Sequence, residues 1–306
     1  MSELPVSLPV SVRNWLTNVG EVSNHEVVRQ RHQAITVVNK SLNRVYKFVL
    51  ATAELQSRLE LEVSTLTNLA QAGVPGPRVV GRDRVDEYEV VEFEYVPGDI
   101  RAGSLSIKDV QLIAATQRQL HSSFLGKAAP SASGVLVNRV LYPILDSANS
   151  IWFAPEIVEY ARQLQSKLLV PADSSELTLV HTDGHFWNVV FTEDSAVLID
   201  WAEAGFGPRY FDLGVTVEAL LLEAEELRCA LINAYLHAYF GGNISASDLA
   251  MVQSYFELRC LEGMTWHLNE STDTQRANRE ESMGFIAECW RTLHTQIGGF
   301  VSSGAV

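Results

Sequence analysis

Asp183, Asn188 and Asp200 carry oxygen-bearing side chains at a spacing suited to catalysis. They lie in His181-Thr-Asp-Gly-His-Phe-Trp-Asn188 and in Val197-Leu-Ile-Asp-Trp201. Phosphoryl transfer needs a carboxylate that orients the attacking hydroxyl and accepts its proton. It also needs hard oxygen donors for a Mg²⁺ ion bridging the nucleotide phosphates. An Asp, an Asn five residues later and a second Asp after a short hairpin supply all three. Alone, the Asp–Asn spacing is an ordinary turn signal, because both side chains favour local hydrogen bonds. Order sets this segment apart: a His precedes the first Asp by two residues, a Trp follows the second, and Asp212-Leu213 comes after.

The protein-kinase catalytic loop has the same Asp-to-Asn spacing, with a His two residues before the Asp. The wider block resembles the aminoglycoside phosphotransferase/choline kinase-like family, whose pattern is His-Gly-Asp-x-His-x-x-Asn, then Ile-Asp-Trp, then Gly-x-x-x-x-Asp-Leu. This chain carries His181, Asp183, His185, Asn188, Ile199-Asp200-Trp201 and Gly207-Pro-Arg-Tyr-Phe-Asp212-Leu213. The resemblance implies Asp183 as catalytic base, with His181 in the same loop to fix it. It implies Asn188 and Asp200 as Mg²⁺ ligands, and Asp212 as the brace of the loop. The activity implied is Mg²⁺-dependent transfer of the γ-phosphoryl of ATP or GTP to a hydroxyl of a small substrate, such as an aminoglycoside, a choline-like amino alcohol or a sugar. Thr182 stands where the family has Gly, and it fits there if its φ is negative. His185 is open between loop support and substrate contact.

The resemblance extends upstream. Glu62-Val-Ser-Thr-Leu-Thr-Asn-Leu69 and Gly73-Val-Pro-Gly-Pro-Arg78 resemble the family's first-lobe helix and its exit turn. In kinases a strand Lys reaches the phosphates and pairs with a Glu on this helix. Glu62 is the candidate Glu. Lys47 is the candidate Lys, with Lys40 as its rival in a turn. Strand alternation puts Val45 and Lys47 on one face, so Val45 could cover the adenine. Phe93-Glu-Tyr-Val-Pro-Gly98 resembles the segment joining the lobes, where backbone groups near Glu94 and Val96 would meet the adenine edge. Leu120-His121 also matches the family, with His121 structural. One departure is clear. Kinases place glycines between the first two strands to close backbone N–H groups over phosphates. This chain has no Gly between Gly20 and Gly73. A loop is expected at Val27–Ala34, where Arg29, Arg31 and His32 could replace backbone contacts by direct charge. The departure also keeps a second reading open, a catalytically silent pseudokinase that binds nucleotide or a partner in an interlobe cleft.

The elements that must position these residues are legible as patterns. Ala34–Val38 and Arg44–Leu50 are rich in β-branched and aromatic residues around a turn-like Asn39–Asn43, which predicts a hairpin. Leu55, Leu59, Val63, Leu66 and Leu69 predict a helix that stops before Gly73, Pro75 and Pro77. Strands are predicted at 78–80 and 88–95. Beyond Pro97-Gly98 the patterns are helical, at 107–121, 157–169, 211–240, 247–268 and 276–296. Short strands at 177–181, 188–191 and 196–200 interrupt them. The expected fold class is α+β: by resemblance a protein kinase-like two-lobe fold, with a small antiparallel-sheet N-lobe with one helix (1–96) and a larger mostly helical C-lobe (97–306). After Asp212 the substrate lobe carries Glu218, Glu223, Glu225, Glu226, Glu257, Glu262, Glu270, Tyr255, Trp266 and His267, which could meet a cationic acceptor.

Composition narrows the partners. The chain has 306 residues with a formal net charge of −14, which argues against generic binding to nucleic acid or an anionic membrane. The expected partners are a nucleotide and a small hydroxyl-bearing substrate. Three widely spaced cysteines fit reduced thiols rather than a disulfide scaffold or zinc site. The N-terminal Met-Ser-Glu-Leu-Pro lacks signal-peptide character, and no apolar run reaches the ~18 residues of a membrane span. A cytoplasmic protein is expected.

Overall fold

A computed structural model describes residues 8–20, 24–31, 34–127, 135–146, 153, 155–169, 174–221 and 223–269. The helix expected near 276–296 lies outside them, as does His32. In chain order the elements are α1 (Val10–Val19), β1 (His25–Arg31), β2 (Ala34–Asn39), β3 (Arg44–Leu50), α2 (Ala53–Gln71), β4 (Val79–Val85), β5 (Tyr88–Glu94), α3 (Ile107–Phe124), α4 (Val135–Leu145), α5 (Pro155–Leu168), β6 (Leu177–Val180), β7 (Val189–Phe191), β8 (Ala196–Leu198), β9 (Gly205–Pro208), α6 (Tyr210–Leu221), α7 (Glu225–Phe240) and α8 (Ala246–Asn269).

The chain forms two compact units, Met1–Arg101 with Trp187–Ala204, and Ala102–Phe186 with Gly205–Val306. The 187–204 hairpin belongs to the first unit, where Asp99 and Phe191 exchange two backbone hydrogen bonds of 3.0 and 2.9 Å. Gly98 makes this approach possible. Its φ is +151°, and a Cβ there would overlap the Phe191 carbonyl.

The first unit is built on a five-stranded antiparallel sheet in the order β1-β2-β3-β5-β4. Strand alternation sorts its side chains. Ile35, Val37, Tyr46, Phe48, Tyr88 and Val90 are buried with Val12 and Leu16 of α1. Trp15 of α1 meets Tyr46 and Phe48 edge-on, at centroid distances of 5.2 and 5.4 Å. The sequence pattern did not single out α1, although Val12, Trp15, Leu16 and Val19 follow helical spacing. On α2 the expected stripe forms, but Glu62 is among its buried residues, with Leu59, Leu66 and Leu69.

The loop expected at Val27–Ala34 is mostly strand. β1 runs to Arg31 and β2 starts at Ala34, which leaves two residues between them. β1 and β2 are in antiparallel register, with one irregularity. Val27 faces Val37 and Arg29 faces Thr36, so Val28 is an extra, unpaired residue. A bulge of this kind shifts every later side chain to the other face of the sheet. Without it Val28 would oppose Thr36, and Arg29 would stand opposite Ile35 on the buried face. Thr36 in turn faces Lys47 of β3. The bulge therefore puts Arg29, Thr36 and Lys47 in one cross-strand row.

The second unit is mostly helical. α3 opens with a capping box, in which Ser106 and Asp109 satisfy each other's backbone N–H groups. It packs on α7, and Gln117 in its middle donates to Thr216 Oγ1 (2.9 Å) and accepts from the Tyr235 hydroxyl (2.5 Å). α4, α5, α6 and α8 share one buried apolar cluster. The region read as one helix, 211–240, is two helices, α6 and α7. Gly214 lets α6 lie against α8: a Cβ there would come within 2.5–2.6 Å of the Tyr255–Phe256 backbone. β9, a partner for β6, was not foreseen because Gly205-Phe-Gly-Pro208 is poor in strand formers. No helix among the described residues is long and apolar enough to cross a membrane. Cys229 and Cys260 are free thiols.

Candidate active site

In the first unit a half-buried lysine stands between two carboxylates. Lys47 Nζ donates to Glu62 Oε2 at 2.7 Å and to Asp200 Oδ1 at 2.8 Å. Glu62 is buried on the apolar stripe of α2, at 4% exposure. A carboxylate there is costly unless paired, and Lys47 supplies the pair. Burial works against the Lys47 charge, but the Glu62 and Asp200 carboxylates outweigh it and raise its pKa above the ordinary value. Lys47 is thus a fixed cation. The rival, Lys40, lies in the turn after β2, exposed and 3.9 Å from Glu26. The other oxygen of Asp200, Oδ2, takes the Arg29 guanidinium at 2.9 Å.

Asp200 and Asn188 are held together by the β7–β8 hairpin. Asn188 ends a short 3-10 turn just before β7, and Asp200 lies two residues after β8 in a left-handed conformation (φ +63°). The Ile199 N–H donates to the Asn188 carbonyl at 2.9 Å. Trp201 is fully buried and anchors the turn through Nε1 to the Leu198 carbonyl, 2.9 Å. One carboxylate and one amide oxygen are hard donors that suit Mg²⁺, which is usually held by one or two protein ligands plus phosphates and water. No cluster of three or more His, Cys, Asp or Glu among the described residues offers a complete protein cage.

Val45 is half-buried on the Lys47 face of β3. At the end of β5 the Glu94 N–H donates to the Arg78 carbonyl (2.8 Å) and the Tyr95 N–H to the Asn43 carbonyl (3.1 Å). The Glu94 N–H is therefore committed within the unit.

In the second unit the loop after β6 is clamped from below. The fully buried Asp212 of α6 accepts from the His181 N–H (2.9 Å), the Thr182 N–H (2.8 Å) and His121 Nε2 (3.0 Å). The other ring nitrogen of His121 meets the Tyr239 hydroxyl at 2.7 Å. Burial alone would raise the Asp212 pKa, but His121, His181 and the backbone donor outweigh it and hold it below the ordinary value. His181 is itself fully buried, and its Nδ1 accepts the Asp183 N–H at 3.3 Å. Its geometry is that of a residue fixing the loop. Thr182 departs from expectation: its φ is +67°, not negative. A β-branched residue is strained in that region, which explains why Gly suits the position.

Asp183 is about one-third exposed, with Arg259 Nη2 of α8 3.3 Å from Oδ1 and His185 Nε2 3.5 Å from Oδ2. Burial lowers the His185 pKa, against the opposing pull of Asp183, and keeps the ring neutral near neutral pH. Arg259 also pairs with Glu262 at 2.7 Å. Burial raises the pKa of neighbouring Glu218, Arg259 opposes it, and Glu262 and Asp183 add to the rise. Nothing local in the α8 sequence marks Arg259 as a site residue.

Three residues expected to meet a cationic acceptor are turned inward instead. Glu223 is buried and accepts from the Gly103 N–H at 2.8 Å. Glu257 is buried against the Tyr160 hydroxyl. Tyr255 is in the core beside Tyr210 and Phe211. Of the rest, Glu226 is exposed. Glu270 and the side chains of Glu225, Trp266 and His267 lie outside what is described.

Comparisons with known proteins bear on the family and the fold. The sequence profile of the phosphotransferase enzyme family matches residues 25–250. No curated protein matches the chain. Among solved structures it is similar to the amicoumacin kinase hAmiN in complex with AMP-PNP, Ca²⁺ and Ami. There the TM-score is 0.71, identity 12%, and 93% of each chain is covered. It is similar to a choline/ethanolamine kinase family protein from Mesorhizobium loti (TM-score 0.63, 18% identity, 92% of each chain). It is also similar to an aminoglycoside-3'-phosphotransferase of type VIII (TM-score 0.58, 21% identity, 81% of this chain and 97% of that one). These likenesses show a kinase-like fold, and the family match covers well over half of the sequence. The chain belongs to the phosphotransferase enzyme family, kinases that pass a phosphoryl group to a hydroxyl acceptor.

Proposed function

We propose that this chain is a Mg²⁺-dependent small-molecule kinase that moves the γ-phosphoryl of ATP or GTP to an alcohol. The observation that carries the reading is Lys47, half-buried and held between Glu62 and Asp200 at 2.7 and 2.8 Å. A lysine held this way presents a permanent, oriented charge to a polyphosphate. Val45 covers the base, and the backbone at Glu94 and Val96 reads its edge. Asn188 and Asp200 would hold Mg²⁺, which would neutralise the charge that develops on the phosphates.

Asp183 is the base. Its carboxylate takes the proton of the acceptor hydroxyl as that oxygen bonds to the γ-phosphorus. The bond from the γ-phosphorus to the bridging oxygen breaks, and the nucleoside diphosphate leaves with that oxygen. His181 and Asp212 hold the loop so that Asp183 meets the hydroxyl without reorganisation. The acceptor class is an aminoglycoside, an amino alcohol or a sugar. The kinases named above by their amicoumacin and aminoglycoside substrates support this range.

A thermal shift with ATP and GTP, each with and without Mg²⁺, tests the donor side. A ligand at about 100 times its Kd adds roughly 2.7 kcal/mol to stability. The expected result is a Mg²⁺-dependent rise that disappears in Asp200→Ala. With an acceptor found by screening, Asp183→Asn should lose turnover while nucleotide binding persists. Full activity in that variant overturns Asp183 as base. One observation favours a second reading, a silent nucleotide-binding pseudokinase: the β1–β2 connection is two residues long and has no glycine. Nucleotide binding without transfer to any acceptor would favour it.

A further inference from the structure

A cation from β1 sits on a carboxylate that the kinase reading assigns to the metal. Arg29 Nη1 lies 2.9 Å from Asp200 Oδ2, while Lys47 holds Oδ1 at 2.8 Å. Two cations therefore converge on one carboxylate. Both come from the same cross-strand row, Arg29 opposite Thr36 and Thr36 opposite Lys47. The bulge at Val28 is what puts Arg29 in that row. The Arg29 side chain is 48% exposed, against 16% for Lys47. The first is half in water and able to move, whereas the second is locked by Glu62 as well.

The strand that carries Arg29 is also the one that, in kinases, leads into the glycine loop over the phosphates. Here the β1–β2 connection is two residues long and has no glycine. A guanidinium offers a planar, bidentate fork that suits phosphate oxygens as well as carboxylate oxygens.

We propose that Arg29 is the phosphate clamp of this chain. It rests on Asp200 in the absence of nucleotide and moves to the polyphosphate when Mg²⁺ and nucleotide bind. The exchange is balanced in charge. Asp200 gives up the Arg29 guanidinium and gains the metal, and Arg29 gives up a carboxylate and gains a phosphate. Arg29 thus does by side-chain charge what the glycine loop does by backbone dipoles, and it keeps the metal ligand paired until the nucleotide arrives. This rests on the nucleotide-binding reading above.

The test is calorimetric titration of the full chain with ATP, GTP and their parent nucleosides in Mg²⁺, for wild type, Arg29→Met and Arg29→Lys. Arg29→Met should bind the triphosphate roughly 10- to 100-fold more weakly, the loss of one charge-assisted contact. Nucleoside affinity should stay within about twofold, and Arg29→Lys should recover part of the loss. Mn²⁺ without nucleotide, followed by its paramagnetic signal, should bind Arg29→Met more tightly than wild type, because Asp200 has lost a competitor. Equal triphosphate affinity in wild type and Arg29→Met overturns the clamp and leaves the kinase reading standing. An equal loss for nucleoside and triphosphate also overturns it, because the effect would then be structural. Failure of wild type to bind any nucleotide overturns the donor reading itself, and the clamp with it.

Discussion

At the scale of single residues, Thr182 and Asp212 show what the catalytic loop costs to hold. Thr182 is 2% exposed and has φ +67°, a conformation that costs a β-branched residue about 1–3 kcal/mol. Thr182→Gly relieves that strain and gives back about 0.5–1 kcal/mol through the freer unfolded chain. The expected outcome is a urea midpoint higher than wild type. A lower one would mean that the buried Thr side chain contributes more than its strain removes. Asp212 has its pKa held below 3.8 in the fold, so it binds fewer protons folded than unfolded. Stability from this group is present above the ordinary carboxylate value and is lost as pH falls through the folded value. Urea midpoints from pH 7 down to 3 should fall for wild type. Asp212→Asn should be less stable at pH 7, by about 3–5 kcal/mol for a broken buried pair, and its profile should be flatter at low pH. A parallel fall in both proteins would remove Asp212 as the source.

At the scale of elements, the β7–β8 hairpin matters most, because it carries both metal-ligand candidates. It is tied to the chain beyond β5 by the Asp99–Phe191 bridge, over Gly98 at φ +151°. Gly98→Ala would force a methyl group into the Phe191 carbonyl. We expect a loss of about 1–3 kcal/mol in stability. We also expect weaker Mg²⁺-dependent nucleotide stabilisation, because Asn188 and Asp200 shift with the hairpin. Thermal melts with and without Mg²⁺-ATP measure both. An unchanged nucleotide shift on a lowered melting temperature would show that the bridge supports the fold and not the site. The Val28 bulge belongs to this scale too, since one unpaired residue decides which face of the sheet Arg29 occupies.

At the scale of the whole molecule, the net charge of −14 makes self-repulsion the dominant long-range term. Raising salt from about 10 mM to about 150 mM shortens the screening length from about 30 Å to about 8 Å. Buried pairs such as Lys47–Glu62 are screened much less than exposed charges. The melting temperature should therefore rise, by about 2–4 °C if the gain is about 1 kcal/mol. A fall would mean that exposed ion pairs outweigh the repulsion. Much of the architecture behind this was written locally. Hairpin 34–50, the helix ending before Gly73 and the ordered motif from His181 to Leu213 are short-range patterns, set by alternation, capping and breakers within a few residues. The family follows from the same local order. Other features depend on partners distant in sequence. Strand β9 exists because β6 needs a neighbour, and Glu223, Glu257 and Tyr255 are buried because other helices cover them. The sign of φ at Thr182 follows from two N–H groups converging on Asp212, thirty residues away. Residue types and their order along the chain are enough to name the candidate residues. Folding is needed to bring Lys47 rather than Lys40 to Glu62, Arg29 to Asp200 and Arg259 to Asp183, because each contact depends on strand register or helix packing between segments far apart in the chain.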